Sequence, residues 1–455
     1  MPQLKYMSKP SQEVQGKFLC EMFEQFELAQ INYCVLRNYE TLPDSLDGSD
    51  LDMAVDTDQL GLAADIIMKA ASQFGADKIS DYTSSGRFVR LMGQHEGAWW
   101  GAPIDLFPQI EYRGVGYFSF ANLIDDYRVH NGIQVVEDKK ATLIAFVKEL
   151  VANGKSRKNY FEQVVNLNHT NEGFIRSVLS PSFKKATVDS LLILLEAGKE
   201  DPDEIKQIAG SLRSDILGGL GLGEIFARLR NLVLRCRRLL NPPGMCIAIM
   251  GTDGAGKTTV INAMTPCLEE ALHSKIHYEH MRPNWLPALG AAVGKKSKDK
   301  SGVNSDPHAQ KSSGFVGSLF RLGYYSLDYT IGYWVKVFPR MVKRPGLCLF
   351  DRYYEDFIID PKRMRINLPR WIVRLAFLLA PKPGVTLCLG AEPTILYQRK
   401  PETSEKEVAR QVGELKAYAE QTKRAAWVDT GGSIEVSTSE ALRVIAKALS
   451  SRLRC

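Results

Sequence analysis

The chain has 455 residues, of which 45% are hydrophobic, 24% charged and 9% aromatic. That composition excludes collagen-like, coiled-coil and wholly disordered classes. The net charge is +6, divided unevenly: residues 1–110 carry −8 and the remainder +14. A basic C-terminal part suits a polyanionic ligand such as a nucleoside triphosphate. Apolar stretches fall short of the ~18–20 residues of a membrane helix. The first residues, MPQLKYMSKPSQEV, lack the apolar core of a secretory signal. Eight scattered cysteines form no C-x-x-C pair, so neither a zinc site nor a disulfide framework is expected. The expected location is cytoplasmic.

In chain order, residues 12–30 have helical periodicity, with Phe18, Leu19, Met22, Phe23 and Phe26 near one face. Strand-like runs follow at Tyr33–Leu36, Leu51–Val55, Phe88–Met92 and Ile104–Phe107, with a helix expected over Gln59–Phe74. This mixture predicts a small α/β domain over residues 1–135. Residues 136–240 read as a helical segment, and Asn241-Pro242-Pro243-Gly244 breaks it. Behind the break, over 241–455, strand candidates alternate with helices: Met245–Met250, Lys275–Tyr278, Leu347–Phe350, Val385–Leu389 and Ala426–Val428. Continuous apolar runs in that arrangement predict a buried parallel sheet. The aromatic stretch Leu319–Met341 is expected to be a helix packed across this core; the other reading is a segment lying on a membrane surface. No basic helix interleaved with base-stacking aromatics is present, so a nucleic-acid partner is not expected.

Gly251-Thr-Asp-Gly-Ala-Gly256-Lys257-Thr258 fits G-x-x-x-x-G-K-[ST]. An apolar strand enters it, and a helix with Val260, Met264, Leu268 and Leu272 on one stripe leaves it. Glycines let backbone N–H groups converge on a phosphate, and the helix N-terminus adds its dipole. Gly251, Asp253, Gly254, Gly256, Lys257, Thr258 and Thr259 are therefore the candidate ATP-binding residues. Lys257 would reach the outer phosphates, and the Thr258 hydroxyl would ligate Mg²⁺. Pro266 is expected to kink or end this helix. A second motif, Leu349-Phe350-Asp351-Arg352-Tyr353, ends a strand on a carboxylate and a guanidinium. A third, Tyr397-Gln398-Arg399-Lys400, precedes a helix opened by Ser404-x-x-Glu407.

Together these motifs resemble thymidylate kinases over about residues 245–454. The resemblance implies Asp351 near Mg²⁺ and the acceptor, Arg352 beside it, and Arg399 in a lid that closes over the phosphates. With Lys257 these form the candidate catalytic set. No segment matches the thymidine-base pocket. His280-Met-Arg282-Pro283, Asp306-Pro307-His308 and Asp356–Arg363 look instead like a branch of thymidylate-kinase-like proteins from surface-polysaccharide gene clusters. Arg282, His308, Asp360 and Arg363 are the candidate acceptor residues.

The N-terminal part holds Gly48-Ser49-Asp50-Leu51-Asp52, with Asp105 in a neighbouring strand candidate. Three carboxylates converging from two strands could hold metal ions for nucleotidyl transfer. The stretch resembles the nucleotidyltransferase superfamily, although Leu36-Arg37-Asn38-Tyr39 stands where that superfamily carries a small-residue turn. Arg87 and Arg90 are placed to meet a phosphate. The expected metal ligands are thus Thr258 and Asp351 in one region, and Asp50, Asp52 and Asp105 in the other.

The leading expectation is an ATP- and Mg²⁺-dependent kinase acting on a sugar, glycan or lipid-linked acceptor. The alternatives are a bifunctional kinase and nucleotidyltransferase, a thymidylate or other nucleoside monophosphate kinase, and a non-catalytic NTP-binding regulator.

Overall fold

The computed structural model describes residues 10–219, 221–287, 314–361, 363–401 and 403–453. The chain divides into two compact units, Ser11–Leu240 and Asn241–Cys455. Both are mixed α/β.

In the first unit, strands β1 (Tyr33–Val35), β2 (Leu51–Val55), β3 (Ala76–Thr83), β4 (Arg87–His95) and β5 (Ala98–Phe107) come first. A two-stranded hairpin of β6 (Gln109–Tyr112) and β7 (Val115–Ser119) is next, then β8 (Tyr127–His130) and β9 (Ile133–Val136). The main sheet runs β3-β4-β5-β2-β1-β9-β8. Its central pairs β2·β5 and β1·β9 are parallel, and the others are antiparallel. Helices Gln12–Leu28 and Leu60–Gln73 bury Phe18, Met22, Phe26 and Ile67 in a core shared with β1, β2 and β5. A second core joins helices between Asp138 and Leu217 to Phe107, Ile110 and Phe118. Strand and helical segments thus share one unit. The sequence reading lacked β3, β6, β7, β8 and β9. All of these mix polar with apolar residues and lie in antiparallel hairpins, so their apolar pattern is weak.

In the second unit, β10 (Met245–Gly251), β11 (His277–His280), β12 (Leu347–Asp351), β13 (Val385–Gly390) and β14 (Ala425–Asp429) form an all-parallel sheet. Its order is β11-β12-β10-β13-β14. The chain leaves β10 in one direction and returns on its other side, so the β10·β12 boundary is a switch point, the position at which open α/β sheets generally place ligands. β10, β12 and β13 are buried along their whole length, as their continuous apolar runs require. β11 begins two residues later than the sequence pattern indicated.

The helix after the glycine-rich loop runs unbroken from Lys257 to Leu272, with Pro266 inside it. The expected early end does not occur. The proline leaves only the Asn262 carbonyl without its helical donor, and Asn262 is exposed to water. The aromatic stretch forms a helix at Phe315–Gly332, a π-helical turn at Tyr333–Val337 and a helix at Phe338–Lys343. Leu322, Tyr329, Tyr333, Val337 and Met341 lie in the core, as expected of a helix packed across the sheet.

Candidate functional site

The loop between β10 and the helix at Lys257 is held by close backbone approach. Gly254 and Gly256 have φ of +81° and +74°. A Cβ on Gly254 would lie 3.0 Å from the Leu396 carbonyl oxygen, so both conformation and space favour glycine there. Lys257 is the first helical residue. Its Nζ donates to the carbonyls of Gly251 at 3.0 Å and Thr252 at 2.9 Å. Burial, reinforced by the Arg352 guanidinium, pushes the Lys257 ammonium down to about 7, against the pull of Asp253 and Asp351. Thr258 is exposed at the N-terminal turn of the helix.

Strand register places the second motif beside this loop. Ile249 of β10 pairs with Asp351 of β12, and the Arg352 N–H donates to the Ile249 carbonyl at 2.8 Å. Asp351 is only 6% exposed. Its Oδ2 accepts from the Tyr278 hydroxyl at 3.0 Å and lies 3.7 Å from His280 Nδ1. Its Oδ1 is buried with no hydrogen-bond partner among the described residues. Burial favours the protonated acid. His280, Lys257, Tyr278 and Arg352 outweigh it and hold the Asp351 carboxyl below its ordinary value. It is therefore an anion at neutral pH with one oxygen uncommitted.

Arg352 has φ +74°, a left-handed conformation that costs a non-glycine residue roughly 1 kcal/mol. Its guanidinium bridges two carboxylates, with Nη1 to Asp356 Oδ2 and Nη2 to Asp253 Oδ1, both at 2.8 Å. Arg363 Nη1 donates to the other oxygen of Asp253 at 2.6 Å. Burial opposes ionisation of Asp253, but Arg352, Arg363 and Lys257 hold it well below the usual carboxylate range. Asp253 is thus a fixed anion that draws two guanidinium groups to the loop.

Arg399 and Lys400 lie against the same loop. Their Cβ atoms would be 3.5 and 3.3 Å from a Cβ on Gly254, and Arg399 Nη1 donates to the Thr430 carbonyl at 2.9 Å. The next helix, Glu405–Gln421, is capped by Ser404 Oγ, which accepts from the Glu407 N–H at 3.3 Å. Asp360 is buried, and its Oδ1 accepts from the Arg363 N–H. Arg282 is otherwise engaged: Nη1 binds Asp328 Oδ2 at 2.7 Å and the Leu286 carbonyl, and Nη2 binds the Pro287 carbonyl. Asp328 is fully buried and also accepts from the Trp285 and Leu286 N–H groups, so this arginine folds the 281–287 turn rather than facing the crevice. His308 and Asp306 lie outside the described residues.

In the first unit, Asp52 and Asp105 are register partners on β2 and β5. Carboxylate oxygens of Asp50, Asp52 and Asp105 lie within 4.8 Å of one another. Arginines already occupy them. Arg37 donates to Asp52 through Nε and to Asp50 at 3.2 Å through Nη2, and Arg90 donates to Asp105. Arg87 instead pairs with Asp81. Burial raises the Asp105 carboxyl to about 6 even though Arg90 opposes it, with Asp52 and Asp50 adding repulsion. Beside Asp52 lies a cavity of about 200 Å³ whose lining includes Arg37, Ile110, Ile144, Lys148, Arg157 and Tyr160.

Sequence reasoning missed Tyr278, Asp356 and Arg37. Alternation along β11 and the i,i+4 spacing of Arg352 and Asp356 were available signals. Arg37 stood out only as part of the atypical Leu36–Tyr39 turn, and nothing local marked its pairing with Asp52 and Asp50.

The fold and loop define the class of the second unit, a P-loop α/β unit with a parallel sheet. No protein-family model and no curated protein matches the chain. Among solved structures, the thymidylate kinase of Ehrlichia chaffeensis is similar over 45% of this chain and 100% of its own. The identity is 16% and the TM-score 0.30, too slight a likeness to carry an argument about function.

Proposed function

We propose that the second unit is an ATP- and Mg²⁺-dependent phosphotransferase. The observation that carries this reading is the Ile249·Asp351 register, which sets an ionised carboxylate with a free oxygen beside the phosphate-binding loop. Backbone N–H groups from Gly251 to Thr259 would cradle the phosphates, with Lys257 turning from the loop carbonyls to the outer ones. The donor set fits a divalent ion: Thr258 offers a hydroxyl, and Asp351 Oδ1 could accept from a water bound to the ion. Such an ion would offset charge on the phosphates. Arg352, Arg363 and Arg399 would gather the remaining anionic charge around the transferred group.

The acceptor in this reading is a hydroxyl-rich or anionic molecule, a sugar, glycan or lipid-linked intermediate of surface-polysaccharide synthesis, rather than thymidylate. Asp360 and Arg363, adjoining the Asp253 network, would shape its pocket, and Asp351 would face the attacking oxygen. A screen with labelled ATP over nucleotides, sugars and glycan extracts tests this. Saturable transfer to a sugar-containing acceptor is expected, and efficient phosphorylation of thymidylate would return the reading to a nucleoside monophosphate kinase.

A second reading, nucleotidyl transfer by the first unit, is favoured by the convergence of Asp50, Asp52 and Asp105. It requires Arg37 to withdraw from the pair so that a divalent ion can enter. Asp50→Asn with Asp52→Asn should then eliminate divalent-metal binding by this unit while leaving ATP use at Lys257 intact. Retained metal binding by that variant would end this reading.

A further inference from the structure

The helix Leu222–Leu240, LGEIFARLRNLVLRCRRLL, has none of its residues buried. It nonetheless has a defined seat. A Cβ on Gly114 would lie 2.5 Å from the Ala227 carbonyl oxygen, so the β6–β7 turn touches the helix backbone directly. Arg230 reaches Glu111 at 3.4 Å, and Arg228 donates to the Leu217 and Gly219 carbonyls. The partly covered residues Ala227, Asn231, Leu234 and Arg238 recur every three or four positions, marking the seated stripe.

Ile225, Phe226, Leu229, Leu232 and Val233 point the other way and are 41–68% exposed. At 100° per residue they share one face with Leu222 and Leu240. An amphipathic helix ordinarily buries such a face; this one turns it outward. The helix carries Arg228, Arg230, Arg235, Arg237 and Arg238 against a single acid, Glu224. On the helical wheel, Arg228 and Arg235 border the apolar face on one side, and Arg230 and Arg237 on the other.

We propose that this face docks on an anionic lipid surface. Leu, Ile, Val and Phe side chains would enter the boundary between headgroups and acyl chains, and Arg235 and Arg237, one on each border, would reach lipid phosphates. Charge selects this occupant. A second copy of the helix would bring an equal positive rim against the first, whereas an anionic membrane offers apolar depth and opposite charge together. No helix among the described residues is long and apolar enough to cross a membrane, so the contact is one of lying on the surface. It does not depend on the phosphotransferase reading.

Sedimentation of the full chain with vesicles tests the proposal, comparing phosphatidylcholine alone with phosphatidylcholine containing phosphatidylglycerol. Binding to the anionic vesicles is expected, weakened about tenfold or more by high salt or by Arg235→Gln with Arg237→Gln. Leu229→Glu with Val233→Glu should abolish it without lowering the unfolding temperature. Four results would overturn the proposal: no preference for anionic vesicles, binding unchanged in both variants, destabilisation by the glutamates because the chain itself covers the face, or an oligomer that the glutamates dissociate.

Discussion

The two units each gather aspartates and arginines at the end of a sheet, but they spend the arginines differently. In the second unit Arg352 and Arg363 neutralise Asp253 and Asp356, and Asp351 keeps an oxygen without a partner. In the first, Arg37 and Arg90 sit on the carboxylates that would hold a metal. Identical residue types thus yield one carboxylate with a buried oxygen that lacks a donor and three that are already matched. Counting acids in a cluster is therefore a poor guide to metal binding; which oxygen lacks a donor decides it.

The largest expected effect is at the loop. Lys257→Ala should reduce phosphoryl transfer from labelled ATP by about 10³-fold with the circular dichroism spectrum unchanged, because it removes charge at the phosphates and little packing. Asp351→Asn should cost about 10²-fold in kcat and raise the Mg²⁺ concentration needed for half-maximal rate. If the rate were instead insensitive to Asp351, the contrast between the units would lose its basis.

Glu355 offers a test through stability. Burial raises its carboxyl to about 7 despite the Tyr418 hydroxyl, which donates to it at 3.0 Å. Because the folded value lies above the unfolded one, its contribution is fully present below about pH 4.5 and is lost as pH rises through 7. Glu355→Gln should flatten that slope and stabilise the protein by roughly 1–3 kcal/mol at pH 8, read from denaturant unfolding at several pH values. The smallest effect is expected at the first unit, where Arg37→Ala should tighten Mn²⁺ binding roughly tenfold by removing the guanidinium paired with Asp52 and Asp50, as measured by titration calorimetry. No change there would mean that the arginine is not what separates the two sites.

Legibility in the sequence tracks the range of the forces involved. The glycine-rich loop could be read because its glycines and Lys257 satisfy local backbone demands, and β10, β12 and β13 because burial on both faces leaves continuous apolar runs. Of the two outcomes expected at Pro266, the early end does not occur, since one lost hydrogen bond at a solvated carbonyl is cheaper than breaking a well-packed helix. Arg37 and Arg282 were out of reach, because each is defined by a carboxylate brought in by folding, 15 residues away for Asp52 and 46 for Asp328. The acceptor motif around His308 falls on residues outside the described structure.

The pairing of Ile249 with Asp351 also makes β12 a ruler. Side chains along a strand alternate between faces, so losing any one residue from Leu347–Phe350 would either turn Asp351 to the opposite face or draw it a residue short of the loop. Every residue of the candidate catalytic set would still be present, yet the carboxylate would no longer stand opposite Ile249 at the end of β10. Length in this short strand is therefore as much a part of the chemistry as the identity of the residue at its end, and a deletion there should be harder to tolerate than substitution of any apolar residue within it.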